Sequence, residues 1–419
     1  MSSVFGFLQR NWNIFSPPGA APKAKDALRF GILGAAKIAP MALIAPAALH
    51  PEVIIAAVAA RDRKKAEAFA KKHSIEKVFD TYQDLLNDPT IDAVYIPLPN
   101  GLHFEWALKA LAAKKHVLLE KPSVSNLTEG QLLFHSPLLT NSPSSPVLLE
   151  AFHYRFHPSW ILFLQQLDQP NIAHATATMQ IPSVIFTKDD IRFKYNLSGG
   201  AMMDTAYTMS VLRGIFGAEA VAAEEVSVKK FEAPLDTLVD YAYSGKWKFP
   251  NGGTGEMVGS LQAGMGTVWK KFCVAEVVHK EQVVDTNTEK GEETVKVRKV
   301  ALVNFIAAGA YHRVDVVDEF VTRKVGDKGK VVKKWVEKET KKAYTLKDVG
   351  IEGESKEFWL SYKYQLDALV DRIKGREGTG VWVSGEDSVN QARMVDMAYE
   401  KAGMPLRPTS EYRLEVERG

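Results

Sequence analysis

The chain of 419 residues is long enough for two compact cores, and its 46% hydrophobic and 25% charged content excludes wholesale disorder. Its 53 Lys and Arg against 50 Asp and Glu leave a formal charge of +3, too even for a protein whose task is gripping nucleic acid. One cysteine, Cys273, excludes an intrachain disulfide framework and a cysteine-based zinc site, and no apolar run reaches the ~20 residues that cross a bilayer.

These bounds predict a soluble, cytoplasmic protein with a small-molecule substrate, no metal centre, and no nucleic-acid or membrane partner. The first 27 residues do not read as a targeting signal, because Arg10, Asn11 and Asn13 interrupt their apolar residues. Pro17, Pro18, Gly19 and Pro22 then mark a loop. Residues 1–27 are expected to form an extension that packs loosely or clasps a neighbour.

From Leu28 the pattern becomes regular. Apolar runs at 28–33, 53–59, 93–98, 117–119 and 147–149 alternate with helical segments at 37–49 and 62–73 and after residue 103. In the last of these, Phe104, Ala107, Leu108 and Leu111 recur at the spacing of one buried helix face. Continuous apolar strands alternating with helices predict a parallel sheet covered on both faces over residues 28–152.

After residue 152 the texture changes. A helix is expected over 157–167, followed by β-rich runs at 173–179, 238–242, 255–260, 268–278 and 300–306, closer to an antiparallel sheet. The stretch 323–347 holds ten basic and three acidic side chains and reads as a solvated hairpin or loop, with a polyanion site as the lesser reading. Leu366, Leu369, Val370 and Ile373 repeat helically, and a last helix over 384–402, ended by Gly403 and Pro405, is expected to pack back on the first unit. The second unit is therefore placed at 153–419.

Two ends of this layout carry chemistry. Between the first strand and the first helix, Gly34, Ala36 and Ala39 take the small positions of a weakened G-x-G-x-x-G/A turn, with Lys37 and Ile38 opening the helix. Small residues there let a dinucleotide pyrophosphate approach the backbone and the helix N-terminus. The second strand ends in Arg61 where a binder of NAD would carry an acid; a guanidinium suits a 2′-phosphate, which favours NADP over NAD. Asp62 reads as a helix N-cap.

At the chemical end, Glu120-Lys121-Pro122 closes an apolar strand at the carboxyl edge of the sheet, where a lysine is awkward as packing and apt for proton exchange. Asn100 and His103 follow another strand toward the same edge, although a lone His at a helix start is equally a cap or core residue. Gly199 and Gly200 open a helix on which Asp204 and Tyr207, three apart, are expected to share one face. Together with Lys121 they form a plausible acid/base and positioning set.

Collectively these stretches resemble the glucose–fructose oxidoreductase/inositol dehydrogenase family, nearest its dihydrodiol dehydrogenase and NADP-dependent D-xylose dehydrogenase branch. The stretches G-I-L-G-A-A-K-I-A, A-V-A-A-R-D, E-K-P, E-A-F-H-Y-R-F-H-P, G-G-A-M-M-D and S-G-E-D-S-V occur in the family's order, ending near A-G-M-P-L-R-P. The resemblance implies an N-terminal Rossmann sheet and a C-terminal α/β domain whose large, open, mostly antiparallel sheet makes a homodimer. It also implies hydride transfer between a nicotinamide and a sugar, such as an aldose, or a cyclic diol. Lys121, Asp204 and Tyr207 would be catalytic, and His153, Lys121, Asp204 and Tyr207 would hold substrate. Glu120, Pro122, Arg155, Asn100 and His103 would join Gly34, Ala36, Lys37, Ile38 and Arg61 around the cofactor. Two departures stand out. The branch spaces its Asp and Tyr by four, so a one-residue shortening leaves Tyr207 and Thr208 competing for the acid/base place. His153 replaces bulkier apolar residues. A non-catalytic ligand sensor on the same fold, and an enzyme that retains its cofactor for a net non-redox or sugar-to-sugar exchange, remain alternative expectations.

Overall fold

A computed structural model describes residues 4–139, 145–325 and 330–414. The apolar runs of the first unit form β1 (Leu28–Leu33), β2 (Val53–Ala59), β4 (Ala93–Ile96), β5 (His116–Leu119) and β6 (Leu148–Glu150); Lys77–Phe79 adds a short β3 that carries too little apolar pattern to be read from sequence. All six are parallel, in the order β3-β2-β1-β4-β5-β6. The order reverses between β1 and β4, and such a reversal opens a ligand crevice at the strands' carboxyl ends.

The first helix starts later than its residues suggest. Gly34, at φ +109, turns the chain sharply after β1, and helical turns begin only at Pro40–Ile44 and continue through Ala45–Ala48. The Asp62 side chain accepts from Lys65 N and caps the helix Arg63–His73, as its position predicts.

The second sheet contains β7 (Ile172–Pro182), β8 (Ala222–Lys230), β9 (Asp240–Lys248), β10 (Thr254–Ala263), β11 (Cys273–His279), β12 (Gln282–Asn287), β13 (Glu292–Val303), β14 (Arg313–Lys324) and β15 (Val331–Lys341). Its order is β15-β14-β13-β11-β7-β10-β9-β8, with β12 beside β13, and the pairing is antiparallel except for β7 with β10. The expected run at 268–278 is corrected: its first part belongs to a helix, Met265–Lys271, and the strand starts at Cys273. The charge-dense stretch is the β14–β15 hairpin, with residues 326–329 outside the described ones. Phe320 stacks on Trp335 across it, with ring centroids 4.7 Å apart, and supplies the apolar contact that its lysines cannot.

The two sheets share one continuous core, in which Phe30 and Ile32 of β1 join Phe152, Trp247 and Leu369. The C-terminal helix Gly385–Lys401 packs against Leu127–Phe134 of the first unit, where Asp396 accepts from Leu127 N. The N-terminal helix Val4–Phe15 docks on the second unit of its own chain. There Arg10 lies 3.8 Å from the centre of the Tyr344 ring and pairs with Glu357 at 3.3 Å. Among the described helices none is long and apolar enough to cross a membrane.

Candidate active site

A crevice of about 480 Å³ opens at the carboxyl ends of β1, β4 and β5 and is closed from above by the second unit. Ala36, Lys37 and Ile38 line one end; Asn100, His103, Glu120 and Lys121 line the floor; His153, Arg192, Asp204, Tyr207 and Tyr362 face them. Its volume suits a small ligand or one part of a larger one.

Lys121 follows β5 directly, so the strand aims it into the crevice. Its Nζ donates to the Asp204 backbone carbonyl at 2.9 Å and to Asp204 Oδ1 at 3.3 Å, and it stands 5.0 Å from the centre of the Tyr207 ring. Asp204 and Tyr207 do not share one helix face as their spacing predicts. Asp204 ends the short helix Ala201–Asp204, and Tyr207 begins a separate helix, Tyr207–Phe216. The break at Thr205 is fixed by Tyr243, whose hydroxyl donates to the Thr205 carbonyl at 2.9 Å and accepts from Thr208 Oγ1 at 2.7 Å. Thr208 is thereby held on Tyr243, fully buried, while Tyr207 lines the crevice.

Burial, together with the nearby Tyr362, Glu120 and Asp204, pushes the Tyr207 phenol well above its usual range, so it stays a proton donor. Burial alone would raise Asp204, but Arg192 and Lys121 outweigh it and hold the carboxyl below the ordinary carboxylate range. Arg192 had no sequence signal. It sits in a single 3-10 turn, Ile191–Phe193, in the connection after β7 and lies 3.0 Å from Asp204 Oδ1 through its Nε. Its Nη1 donates to Asp190 Oδ1 at 3.1 Å, and its guanidinium covers the Phe186 ring.

Tyr95, also unremarked in the sequence, donates to Glu120 Oε1 at 2.6 Å, and burial raises the Glu120 carboxyl. His153 is buried, and burial lowers it to about 3, which leaves a neutral imidazole. Its Nδ1 meets Ser361 Oγ at 2.7 Å, its ring lies 4.0 Å from that of Tyr362, and its Nε2 has no partner among the described residues. His103 is a strut as well as a lining residue: its nitrogens meet the carbonyls of Pro122 at 2.7 Å and Leu98 at 2.8 Å, and burial lowers it to about 4. Asn100 Nδ2 donates to the Ser198 carbonyl at 3.1 Å and ties the two units.

Not every expected residue meets this crevice. Arg155 does not line this crevice: its guanidinium binds Asp387 at the start of the helix Gly385–Lys401, next to the Arg213–Asp387 pair of 2.8 Å. A motif match could not foresee that an acid 232 positions downstream takes this cation. Pro122 is not among the residues that line the crevice; its carbonyl meets His103. Arg61 is exposed beyond the end of β2, beside the Gly34 turn, where Gly34 N donates to the Ala59 carbonyl at 2.7 Å, and it makes no ion pair with any described residue. The cradle fits a dinucleotide: Gly34 has a φ that a side chain rarely adopts, Ala36 is small, and an unpaired cation stands at the neighbouring strand end.

Comparison with known proteins agrees with this architecture. Residues 28–136 match the oxidoreductase family with an NAD-binding Rossmann fold. A D-xylose 1-dehydrogenase (NADP(+)) from Haloferax volcanii is 34% identical over 240 residues, covering 56% of this chain and 70% of that protein. A trans-1,2-dihydrobenzene-1,2-diol dehydrogenase from Danio rerio is 31% identical over 236 residues, 53% of this chain and 65% of its own length. Among solved structures, a 3-ketoreductase variant from Actinomadura kijaniata in complex with TDP-benzene and NADP shares the fold at 20% identity and a TM-score of 0.65, over 90% of this chain and 98% of that one. The layered sheets, the crevice at the switch point and these matches together make the chain a member of the Gfo/Idh/MocA oxidoreductase family, with an NAD(P)-binding Rossmann fold.

Proposed function

We propose that the protein is an NADP-dependent dehydrogenase or reductase that acts on a CH–OH group of a sugar, such as an aldose, or of a cyclic diol. The observation that carries this reading is the Lys121 amine, held 2.9 Å from the Asp204 carbonyl inside the crevice and facing the Tyr207 phenol. A ligand sensor would have no need of an amine, a carboxylate and a phenol converging on one point.

Gly34, Ala36, Lys37 and Ile38 would hold the dinucleotide, with Arg61 at a 2′-phosphate; when bound, it supplies the nicotinamide that exchanges hydride with the substrate carbon. The chain's own residues handle the proton. In the oxidative direction the neutral Lys121 amine takes the hydroxyl proton, and in the reductive direction its ammonium returns it. Tyr207, kept protonated, donates a hydrogen bond to the same oxygen. Lys121 and Arg192 both sit on Asp204 Oδ1, so Oδ2 is the acceptor left for a neighbouring substrate hydroxyl. His153 offers Nε2 to a further substrate oxygen; a buried polar atom without a partner costs about 1–3 kcal/mol, which such a bond would recover.

A panel of aldoses and cyclic diols, each with NADP and with NAD and followed by nicotinamide absorbance, tests the reading. Turnover of at least one sugar or diol, faster with NADP, is expected; silence across the whole panel would count against it. We also propose a cytoplasmic homodimer paired through the open face of the second sheet. That face carries His174, Thr176, Val258 and Glu276, which are only half-buried. Sedimentation at twice the chain mass would support pairing.

A further inference from the structure

The Asp204 carboxylate is shared by two cations, an amine and a guanidinium, and of the two only the amine can act as a proton donor and acceptor. Lys121 Nζ and Arg192 Nε lie 3.3 and 3.0 Å from the same oxygen, Oδ1. The Arg192 contact is close but lacks hydrogen-bond alignment at Nε, so charge rather than direction binds the pair. Asp190 Oδ1 holds Arg192 from behind, accepting from the Arg192 backbone N–H and from its Nη1.

This arrangement matters because Lys121 must release its proton before it can act as a base. If Lys121 were the only cation on Asp204, deprotonation would leave a largely desolvated carboxylate uncompensated, which is unfavourable. A guanidinium stays charged throughout the accessible pH range. We propose that Arg192 is a positioning residue that keeps Asp204 compensated while the Lys121 amine is neutral, and so eases proton release from Lys121. The inference rests on the reading of Lys121 as the proton-transfer group.

The groups that face this amine come from every surrounding element. Glu120 lies beside it on its own strand end, and Tyr207 and Tyr362 come from two helices above. His153 and His103 flank it as neutral rings, Asp189 and Asp190 lie behind Arg192, and Lys37 stands at the far end of the crevice. Arg192 is the one permanently charged cation among these lining residues. Removing a like charge at this range favours the protonated amine.

The test compares the wild-type chain with Arg192→Gln and Arg192→Lys in two ways. The first is the pH dependence of kcat and KM in the oxidative direction. The second is the NMR titration of the lysine ε-carbon signal that Lys121→Met removes, recorded without cofactor. Arg192→Gln is expected to move both midpoints up by about one pH unit, which lowers kcat at neutral pH about tenfold and restores it at high pH. Arg192→Lys should bring both midpoints back toward the wild type. A uniform loss of kcat at all pH values, or a rise in KM alone with both midpoints unmoved, would overturn the inference and leave Lys121's role standing. Unchanged turnover in Lys121→Met would instead remove the underlying reading, and the inference with it.

Discussion

Two carboxylates, Asp240 fully buried and Asp204 half-buried, lie at the short helix Ala201–Asp204, and they differ in how their charge is met. Asp240 is fully buried and pairs with one cation, Arg407 Nη2, at 2.7 Å. It also accepts from Tyr399 OH at 2.9 Å and from Met202 N at 2.8 Å, so its lone pairs are used. Asp204 lines the crevice and holds two cations on one oxygen, Oδ1. Burial pushes Asp240 above the ordinary carboxylate range despite Arg407, while Arg192 and Lys121 hold Asp204 below it. The first is a closed strut that fixes the helix; the second is an open set that the helix presents to a ligand. Gly200 shows how tight the strut is. It sits at φ +141, and an added Cβ would lie 2.4 Å from Asp240 Oδ1.

The comparison breaks most directly at Arg407. Arg407→Met leaves Asp240 buried without its cation and should cost about 3–5 kcal/mol of stability in chemical denaturation. A variant with unchanged stability would deny the strut its role.

A smaller effect is expected at Glu150, which ends β6 beneath the crevice floor and accepts from Ser123 N at 2.8 Å. Burial raises it from 4.5 to about 7. The folded state therefore binds this proton more tightly than the unfolded chain, and stability falls as pH rises from 4.5 through about 7, by about 3 kcal/mol in all. Glu150→Gln should flatten the dependence of the denaturation midpoint over that interval; an unaltered slope would assign it to other groups.

The smallest of the three lies at the cofactor end. Arg61→Ala should weaken NADP about tenfold or more and leave NAD nearly unchanged, as read by titration of each dinucleotide. Equal losses would contradict the 2′-phosphate reading.

The first sheet was legible because its strands are buried on both faces and read as near-continuous apolar runs at 28–33, broken only by Arg29, and at 53–59 and 93–98. The strands of the second sheet are half-solvated, so their limits blur, and the helix at Met265–Lys271 hides inside an apolar stretch. In the crevice, Lys121, Asp204 and Tyr207 announced themselves through strand-end and helix-start positions. Arg192 did not, because a single three-residue 3-10 turn is too short to show a period and its partner lies 12 positions on. Tyr95 was hidden for the opposite reason: it sits inside an apolar strand and reads as packing. The kink at Thr205 depends on the hydroxyl of Tyr243, which no local pattern reveals.

The central claim concerns the amine of residue 121, and Lys121→Met tests it with little change of shape. Turnover on the best substrate of the panel should be measured beside the affinity for NADP. A fall in kcat of ~100-fold or more, with NADP affinity nearly intact, is the predicted result; turnover equal to the wild type would contradict the account.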